Sequence, residues 1–542
     1  IEEAERKSYI KGFTYNLVDG KVSKDKLRNR DIYEEEVVDD EYSRYRFTMP
    51  NVKVGSVIDI SYSRTGLPSE FRFQEEIPVH YAELILPQSQ YITYKKHFYG
   101  KQSVLPRSSI EWVAQEVPAF REEPYMNHKD NYITRFSFEI TNISFPGYMY
   151  HSYASDWPNV SGNLMGHSEF GERLRSSCFF LNSVAKDIDE KYTDDFEKVK
   201  AAHEHVKNHM TWNDRKRLYA DYDLRYIYNE GSGNTGEINL ILIKLLQKLD
   251  LKAFPIVLST RDNGMLNPLF ASLDQLNYVV AGVSFDETNY ILDATDKLLP
   301  VGLLPKHAYN GKGRYIEEKV TGWFDIEAPK HKVSTTYDLE MHANGDFSGN
   351  LSKTFYGTAA YDFRQTIEDY GGMKDYLKDY TSQNPGLEIL DYELKNLENI
   401  YADIELNLEI AIKGKTNVVG SDYYFNPFFY SRIEKNPFQS EERKFPIDFV
   451  YPVEHNYFIT LSFPEGYSVS QTPGSDIGRL PQKGGQYFCN VSNLGQKIQI
   501  SYQHKQSAPS YTNDFYPYLK EFYRRIVKKQ AEYVIVKKQD NE

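Results

Sequence analysis

Over residues 1–157, apolar and polar side chains alternate in short runs broken by Gly, Pro and Asn. The runs 43–48, 57–62 and 80–86 keep a period of two, as do 91–94 and 132–140, and that period predicts half-buried strands. An N-terminal β-sandwich is the economical arrangement. The pattern changes at Trp157. Residues 196–209 place Val199, Ala202, Val206 and His209 on one stripe at helical spacing. Gly233-Asn234-Thr235-Gly236-Glu237 then opens a strongly apolar run, 238–249, which predicts a buried helix. Strand-like runs follow at 253–260, 276–285 and 289–293, so 158–325 reads as one α+β core domain. From 326 to 508 the β pattern returns, with a turn into a strand at 346–351 and further strands at 458–463 and 498–502. A short helix at 361–370 is expected to stop at Gly371-Gly372. The remaining 509–542 reads as an amphipathic helix striped by Leu519, Phe522, Tyr523, Ile526 and Tyr533. Its polar face carries Lys520, Arg524, Arg525, Lys528 and Lys529. A docked helix with a solvated basic face is expected, and an anionic membrane or partner contact is the alternative. The fold class is therefore α+β and multidomain: N-terminal β-sandwich, central α+β core, C-terminal β-sandwich and a terminal helix.

Composition narrows the function classes. With 40% apolar and 26% charged residues among 542, sizeable cores form and global disorder is excluded. The 45 Tyr and 31 Phe suit pleated, half-buried surfaces; carbohydrate-facing platforms are the sharper alternative. A net charge of −13, with no basic footprint outside the C-terminal tail, argues against a nucleic-acid partner. No apolar run reaches the roughly 18 residues that span a bilayer. The first residue is Ile1, so processing or truncation ahead of it is expected, and a leader or lipid-bearing cysteine would precede it. Cys178 and Cys489 form no metal or redox motif, and a disulfide between them is left open. His203-Glu204-His205-Val206-Lys207-Asn208-His209 carries Lys207 where a zinc-protease helix needs its second His. A packed or solvated helix is expected there, with His205 and His209 as a metal pair the alternative. The aromatic run Tyr423-Tyr424-Phe425-Asn426-Pro427-Phe428-Phe429-Tyr430 reads as packing, with sugar stacking as its alternative. No cofactor motif is present in the sequence, and none is expected to be bound.

The central segment resembles the transglutaminase-like superfamily, whose core is shared with papain-type cysteine proteases. In that family a Gly-x-Cys element opens a long apolar helix, a His starts a strand, and an Asp follows in a Leu-Asp-x-Thr setting. Gly233-Asn234-Thr235 opens the helix here, Leu251-Lys252-Ala253-Phe254-Pro255 resembles the turn into the next strand, and Leu276-Asn277-Tyr278-Val279-Val280 stands at the His element. Leu292-Asp293-Ala294-Thr295 matches the Asp element. Thr235 thus occupies the cysteine position, Tyr278 the histidine position, and Asp293 alone is retained.

The flanks carry the resemblance outward. Tyr15-Asn16-Leu17-Val18-Asp19-Gly20-Lys21 and Asp31-Ile32-Tyr33-Glu34-Glu35 are similar to an uncharacterised β domain that precedes such cores in Gram-negative envelope proteins. Asn436-Pro437-Phe438, Phe445-Pro446-Ile447 and Phe463-Pro464-Glu465-Gly466-Tyr467 are similar to its C-terminal β partner. The resemblance implies an exported protein of the periplasm or outer-membrane surface.

A Thr hydroxyl is a weak nucleophile without a strong adjacent base, and Tyr is a poor base near neutrality. The resemblance therefore implies a core without catalytic residues, with Thr235, Tyr278 and Asp293 as relict positions. Asn234 or Thr235 is expected to cap the helix, with Glu237 reaching back as in a capping box, and Tyr278 to bond Asp293. The expected role is binding or scaffolding, with another envelope protein, a peptide or a glycan as partner and membrane association through an anchor or that partner. The rival is a divergent amide hydrolase or transferase recruiting Glu237, Asp293 or His209. A third reading, a space-filling role, predicts a cleft plugged by the protein's own side chains or by a neighbouring domain.

Overall fold

A computed structural model describes residues 9–36, 43–63, 69–152, 156–317 and 321–539. Ile1 and the tail residues 540–542 lie outside them. The chain divides into two compact units, Ile1–Phe71 and Arg72–Glu542, and the boundary falls inside the segment read as one sandwich.

In the first unit, strand Tyr9–Val18 lies between Lys21–Lys26 and Val57–Ser63, antiparallel to both. Asp19 and Gly20, at φ 50° and 75°, make the two-residue link to Lys21–Lys26. Positive φ at both positions is what a hairpin turn matching the strand twist requires, hence Asp-Gly. Ile32–Glu36 pairs with Ser43–Phe47 in a separate hairpin.

The second unit starts with short antiparallel sheets. Val79–Ile85 pairs with Glu111–Val117, and Arg135–Phe145 pairs with Ile92–Tyr99 and with Met149–Ser152. The core sheet follows in the order Thr288–Leu292, Tyr278–Phe285, Lys252–Leu258, Gly311–Ile316, Thr321–Ile326, all antiparallel. The last two strands escape the alternation pattern because Gly311, Gly313 and Gly322 interrupt it. Gly313 is needed for packing: a Cβ there would stand 2.7 Å from Ile256 Cγ2.

Against this sheet lies the central helix, Thr235–Lys248. Its residues from Thr235 to Leu246 are all buried, so it is covered on every side rather than along one stripe. Ile238, Leu240, Ile241, Leu242, Ile243, Leu245 and Leu246 are wholly removed from solvent, each stabilising the core by about 1.5–3 kcal/mol.

The C-terminal part is an eight-stranded sheet in which His331–Met341 runs parallel to Val453–Ser462 and antiparallel to Phe347–Gly357. The expected short helix is Thr358–Asp369, and Gly371-Gly372, at φ 72° and 133°, turns the chain into a second helix, Met373–Gln383. The terminal helix, Tyr516–Gln530, buries Leu519, Phe522, Tyr523 and Ile526. Its basic face is largely paired: Arg525 with Asp476, Arg524 with Glu521, Lys529 with Glu532, while Lys520 donates to the Ser440 carbonyl. The chain then returns as strand Val534–Lys538 between Asp422–Phe425 and Tyr467–Gln471, so the tail is not helix alone.

Within the second unit, Asp448 of the C-terminal part takes Arg261 Nη2 at 3.0 Å and Asn127 Nδ2 at 3.0 Å. Phe445 packs on Phe120 and Tyr132 beside them. These contacts tie the leading sheets, the core and the C-terminal sheet together. Among the described residues no helix is long and apolar enough to cross a membrane.

Candidate functional site

Asn234 caps the central helix in both directions: its side chain accepts from Glu237 N–H at 3.0 Å, and Glu237 accepts from Asn234 N–H at 2.8 Å. This is the reciprocal capping expected from Asn-x-x-Glu. Glu237 also accepts from Asp221 N–H at 2.9 Å, and burial pushes its carboxyl above the usual range. Thr235, next along, is fully buried. Its hydroxyl donates to the Arg217 carbonyl at 2.9 Å and accepts from Arg217 N–H at 3.0 Å, while its own N–H donates to the Arg215 carbonyl at 3.2 Å. Residues 215–218 therefore lie across the helix N-terminus. Gly236 permits this approach, since a Cβ there would stand 2.4 Å from the Leu218 carbonyl oxygen.

Tyr278 begins one core strand, and Asp293 follows the next strand, Thr288–Leu292. Both are fully buried. The Tyr278 hydroxyl donates to Asp293 Oδ2 at 2.7 Å, with Thr295 Oγ1 3.2 Å away. Asp293 Oδ1 accepts from Asn239 Nδ2 at 3.0 Å and from Thr295 N–H at 3.0 Å. Burial pushes the Asp293 carboxyl up, against the pull of the Asn239 and Tyr278 hydrogen bonds. Burial, and then the Asp293 charge, lifts the Tyr278 phenol well above its ordinary value. The structure thus joins two of the three positions singled out from the sequence, Tyr278 and Asp293. The hydrogen bonds of the Thr235 hydroxyl, among the described residues, run to Arg217 and not to Tyr278. A phenol whose proton rests on a carboxylate, both out of contact with solvent, holds a proton in place rather than moving one.

Further residues complete this centre without having been singled out from the sequence. Asn239, one turn beyond Thr235, bridges Asp293, the Val279 carbonyl and Ala294 N–H. An amide in the midst of the helix's apolar residues was the available signal. His203 is fully buried, donates Nε2–H to the Asp293 carbonyl at 2.9 Å, and is held neutral, its value pushed down to about 3 by burial and then Lys207. His307 meets the Tyr278 ring edge-on at 5.1 Å and stacks on Trp212 at 6.3 Å. Its Nε2 is buried without a partner among the described residues, and burial lowers the imidazole to about 4. From the C-terminal part, helix Thr358–Asp369 docks through Tyr361, whose hydroxyl donates to Asp296 Oδ2 at 2.6 Å beside Gln365 Nε2 at 3.0 Å.

The other candidates resolve into packing. His205 Nε2 meets the Tyr228 hydroxyl at 2.8 Å, and His209 Nε2 meets the Tyr228 carbonyl at 2.7 Å. Among the described residues no group of three or more His, Cys, Asp or Glu is arranged to hold a metal ion. Cys178 and Cys489 are separate buried thiols. Tyr423, Phe425, Phe428 and Phe429 are buried in the C-terminal core.

A capped, buried helix on an antiparallel sheet, with Tyr278 and Asp293 bonded at adjacent strands, is the arrangement expected of a transglutaminase-like core. The comparisons with known proteins agree: residues 182–291 match the transglutaminase-like superfamily. Residues 5–121 and 421–536 match two domains of unknown function for which structures have been solved, DUF3857 and DUF3858. The chain therefore carries a transglutaminase-like core domain with a DUF3857 domain before it and a DUF3858 domain after it. Among solved structures it is similar to a candidate protease from Parabacteroides distasonis ATCC 8503, at 12% identity and a TM-score of 0.55. The likeness covers 98% of this chain and 89% of that one, and it shows the fold. No curated protein matches the chain.

Proposed function

We propose that this is a non-catalytic transglutaminase-like protein that acts by binding, as a scaffold or subunit of a larger assembly at the cell envelope. The observation that carries this reading is the state of Thr235. At the helix N-terminus, where the family's nucleophile stands, its hydroxyl is wholly buried and committed in both directions to Arg217. The cover formed by 215–218 and the docked helix Thr358–Asp369 fit a core retained for its surfaces. The partner of this reading is another exported envelope protein, ahead of a peptide or glycan.

The rival is amide hydrolysis or transfer through other residues. The description of the Parabacteroides neighbour points that way, but at 12% identity the likeness carries fold alone. Each proposed recruit is already engaged: Glu237 in the capping box, Asp293 with three donors, His209 on the Tyr228 carbonyl. The test is amide hydrolysis and acyl transfer by the intact chain and its Thr235→Val variant, with cross-linking in envelope extracts alongside. No turnover by either protein, together with a stoichiometric cross-linked partner, is the expected result. Turnover that Thr235→Val abolishes overturns the proposal.

A further inference from the structure

The hairpin formed by strands Arg135–Phe145 and Met149–Ser152 ends in an exposed, apolar tip. Residues 145–150, Phe-Pro-Gly-Tyr-Met-Tyr, are six consecutive exposed positions. Phe145, Tyr148, Met149 and Tyr150 are 39%, 94%, 48% and 72% exposed. Scattered apolar residues on a surface are ordinary, but a contiguous group of large ones marks an interaction site.

The tip is also stiff. Pro146 and Gly147 occupy the centre of a turn closed by Tyr148 N–H on the Phe145 carbonyl at 3.0 Å, with Gly147 at φ 80°. Pro followed by a positive-φ Gly is the type II pattern. Below it the ladder pairs Phe145 with Met149 and Ser144 with Tyr150, and Tyr91 stacks on Phe145 at 5.1 Å and 19°. The apolar groups are thus held in place before any ligand arrives.

Charge says what they face. The runs 87–94 and 140–150 contain no Asp, Glu, Lys or Arg, in a chain where 26% of residues are charged. Charges resume only at the paired Glu139 and Lys95. Side chains opposite one another share a face and successive ones alternate, so Phe145 and Met149 lie on one face and Tyr150 on the other. A protein groove covers one face of a hairpin, whereas a lipid interface surrounds both. From Ser144 to Gly147 the tip reaches about 10 Å at 3.3 Å per residue, the depth at which interfacial elements sit, where Tyr prefers the headgroup level. The absence of basic residues at the tip and the net charge of −13 disfavour an anionic surface.

We propose that residues 145–150 are an interfacial anchor that inserts into an uncharged, zwitterionic lipid surface. The test is co-sedimentation of the full chain with phosphatidylcholine vesicles and with vesicles enriched in phosphatidylglycerol. Binding to the first is expected to be insensitive to salt and to weaken on the second. Tyr148→Ser combined with Met149→Ser is expected to lower partitioning about tenfold, with an unchanged melting temperature because both side chains are exposed. Leu269→Ser, which removes an apolar side chain 96% exposed elsewhere, is expected to leave partitioning unchanged. The proposal is overturned if the chain does not sediment with phosphatidylcholine, or if the double variant sediments equally. It is also overturned if binding needs anionic lipid and vanishes in salt, or if the double variant alters only self-association.

Discussion

At Tyr278 the hydroxyl is one of three donors that satisfy a carboxylate with no access to water. Tyr278→Phe keeps the ring and its edge contact with His307, creates no cavity, and leaves Asp293 Oδ2 with an unmet bond. A buried acceptor deprived of its donor costs its desolvation, about 1–3 kcal/mol and more when the group is charged. Denaturant unfolding of the two proteins measures this, and an unchanged midpoint would mean that water replaces the phenol. The Tyr278–Asp293 pair was legible in the sequence because a Leu-Asp-x-Thr element and an apolar strand mark both positions. The contacts of Thr235 were not, since the loop that covers it approaches through backbone atoms, which no side-chain pattern encodes. His203 and His307 escaped for a related reason: nothing in their neighbours along the chain distinguishes a histidine packed on Asp293 or Tyr278 from one in solvent.

For the central helix, local preference and tertiary packing make opposite demands at Gly236. Ala is favoured over Gly in a helix by about 1 kcal/mol, but an Ala Cβ would stand 2.4 Å from the Leu218 carbonyl oxygen and 2.9 Å from that of Arg217. Backbone cannot yield as a side-chain tip can, so the clash decides the sign. Gly236→Ala is expected to destabilise by about 1–3 kcal/mol and to raise hydrogen exchange at Arg217 N–H, which bonds Thr235. A stabilised variant would mean that residues 215–218 do not press on the helix. The helix itself was readable from its strongly apolar run and its Asn-x-x-Glu start. Strands Gly311–Ile316 and Thr321–Ile326 were not, because glycines chosen for close packing erase the alternation. Strand Val534–Lys538 follows a helix with only a short break, Ala531 to Tyr533, and its Val-Ile-Val run is too brief to separate from a helix end by periodicity.

Over the whole molecule, burial of neutral histidines links stability to pH. His203 and His504 are 0% and 3% exposed, and burial is the leading cause that lowers each from 6.5 to about 3, helped by Lys207 and His455 respectively. The unfolded chain takes up protons at both below about pH 6.5 while the folded chain does not, so stability is fully present above that value and lost as pH falls toward 3. Each histidine contributes a slope of about 1.4 kcal/mol per pH unit inside the window. Unfolding free energies between pH 7 and 5 are expected to fall accordingly, and His504→Leu to flatten the slope by one histidine's share. An unaltered slope would show that His504 titrates in the folded chain. The domain order was legible at this scale, whereas the division at Phe71 and the ties through Asp448 and Phe445 join residues too distant in sequence for any local pattern to show. In the proposed reading the helix N-terminus is closed to substrate, with the Thr235 hydroxyl buried and bonded in both directions to Arg217. The most direct measurement is turnover by the intact chain on amide substrates, with Thr235→Val beside it. No hydrolysis or acyl transfer above the uncatalysed background is expected in either protein; robust turnover lost on removal of the Thr235 hydroxyl would show the core to be catalytic.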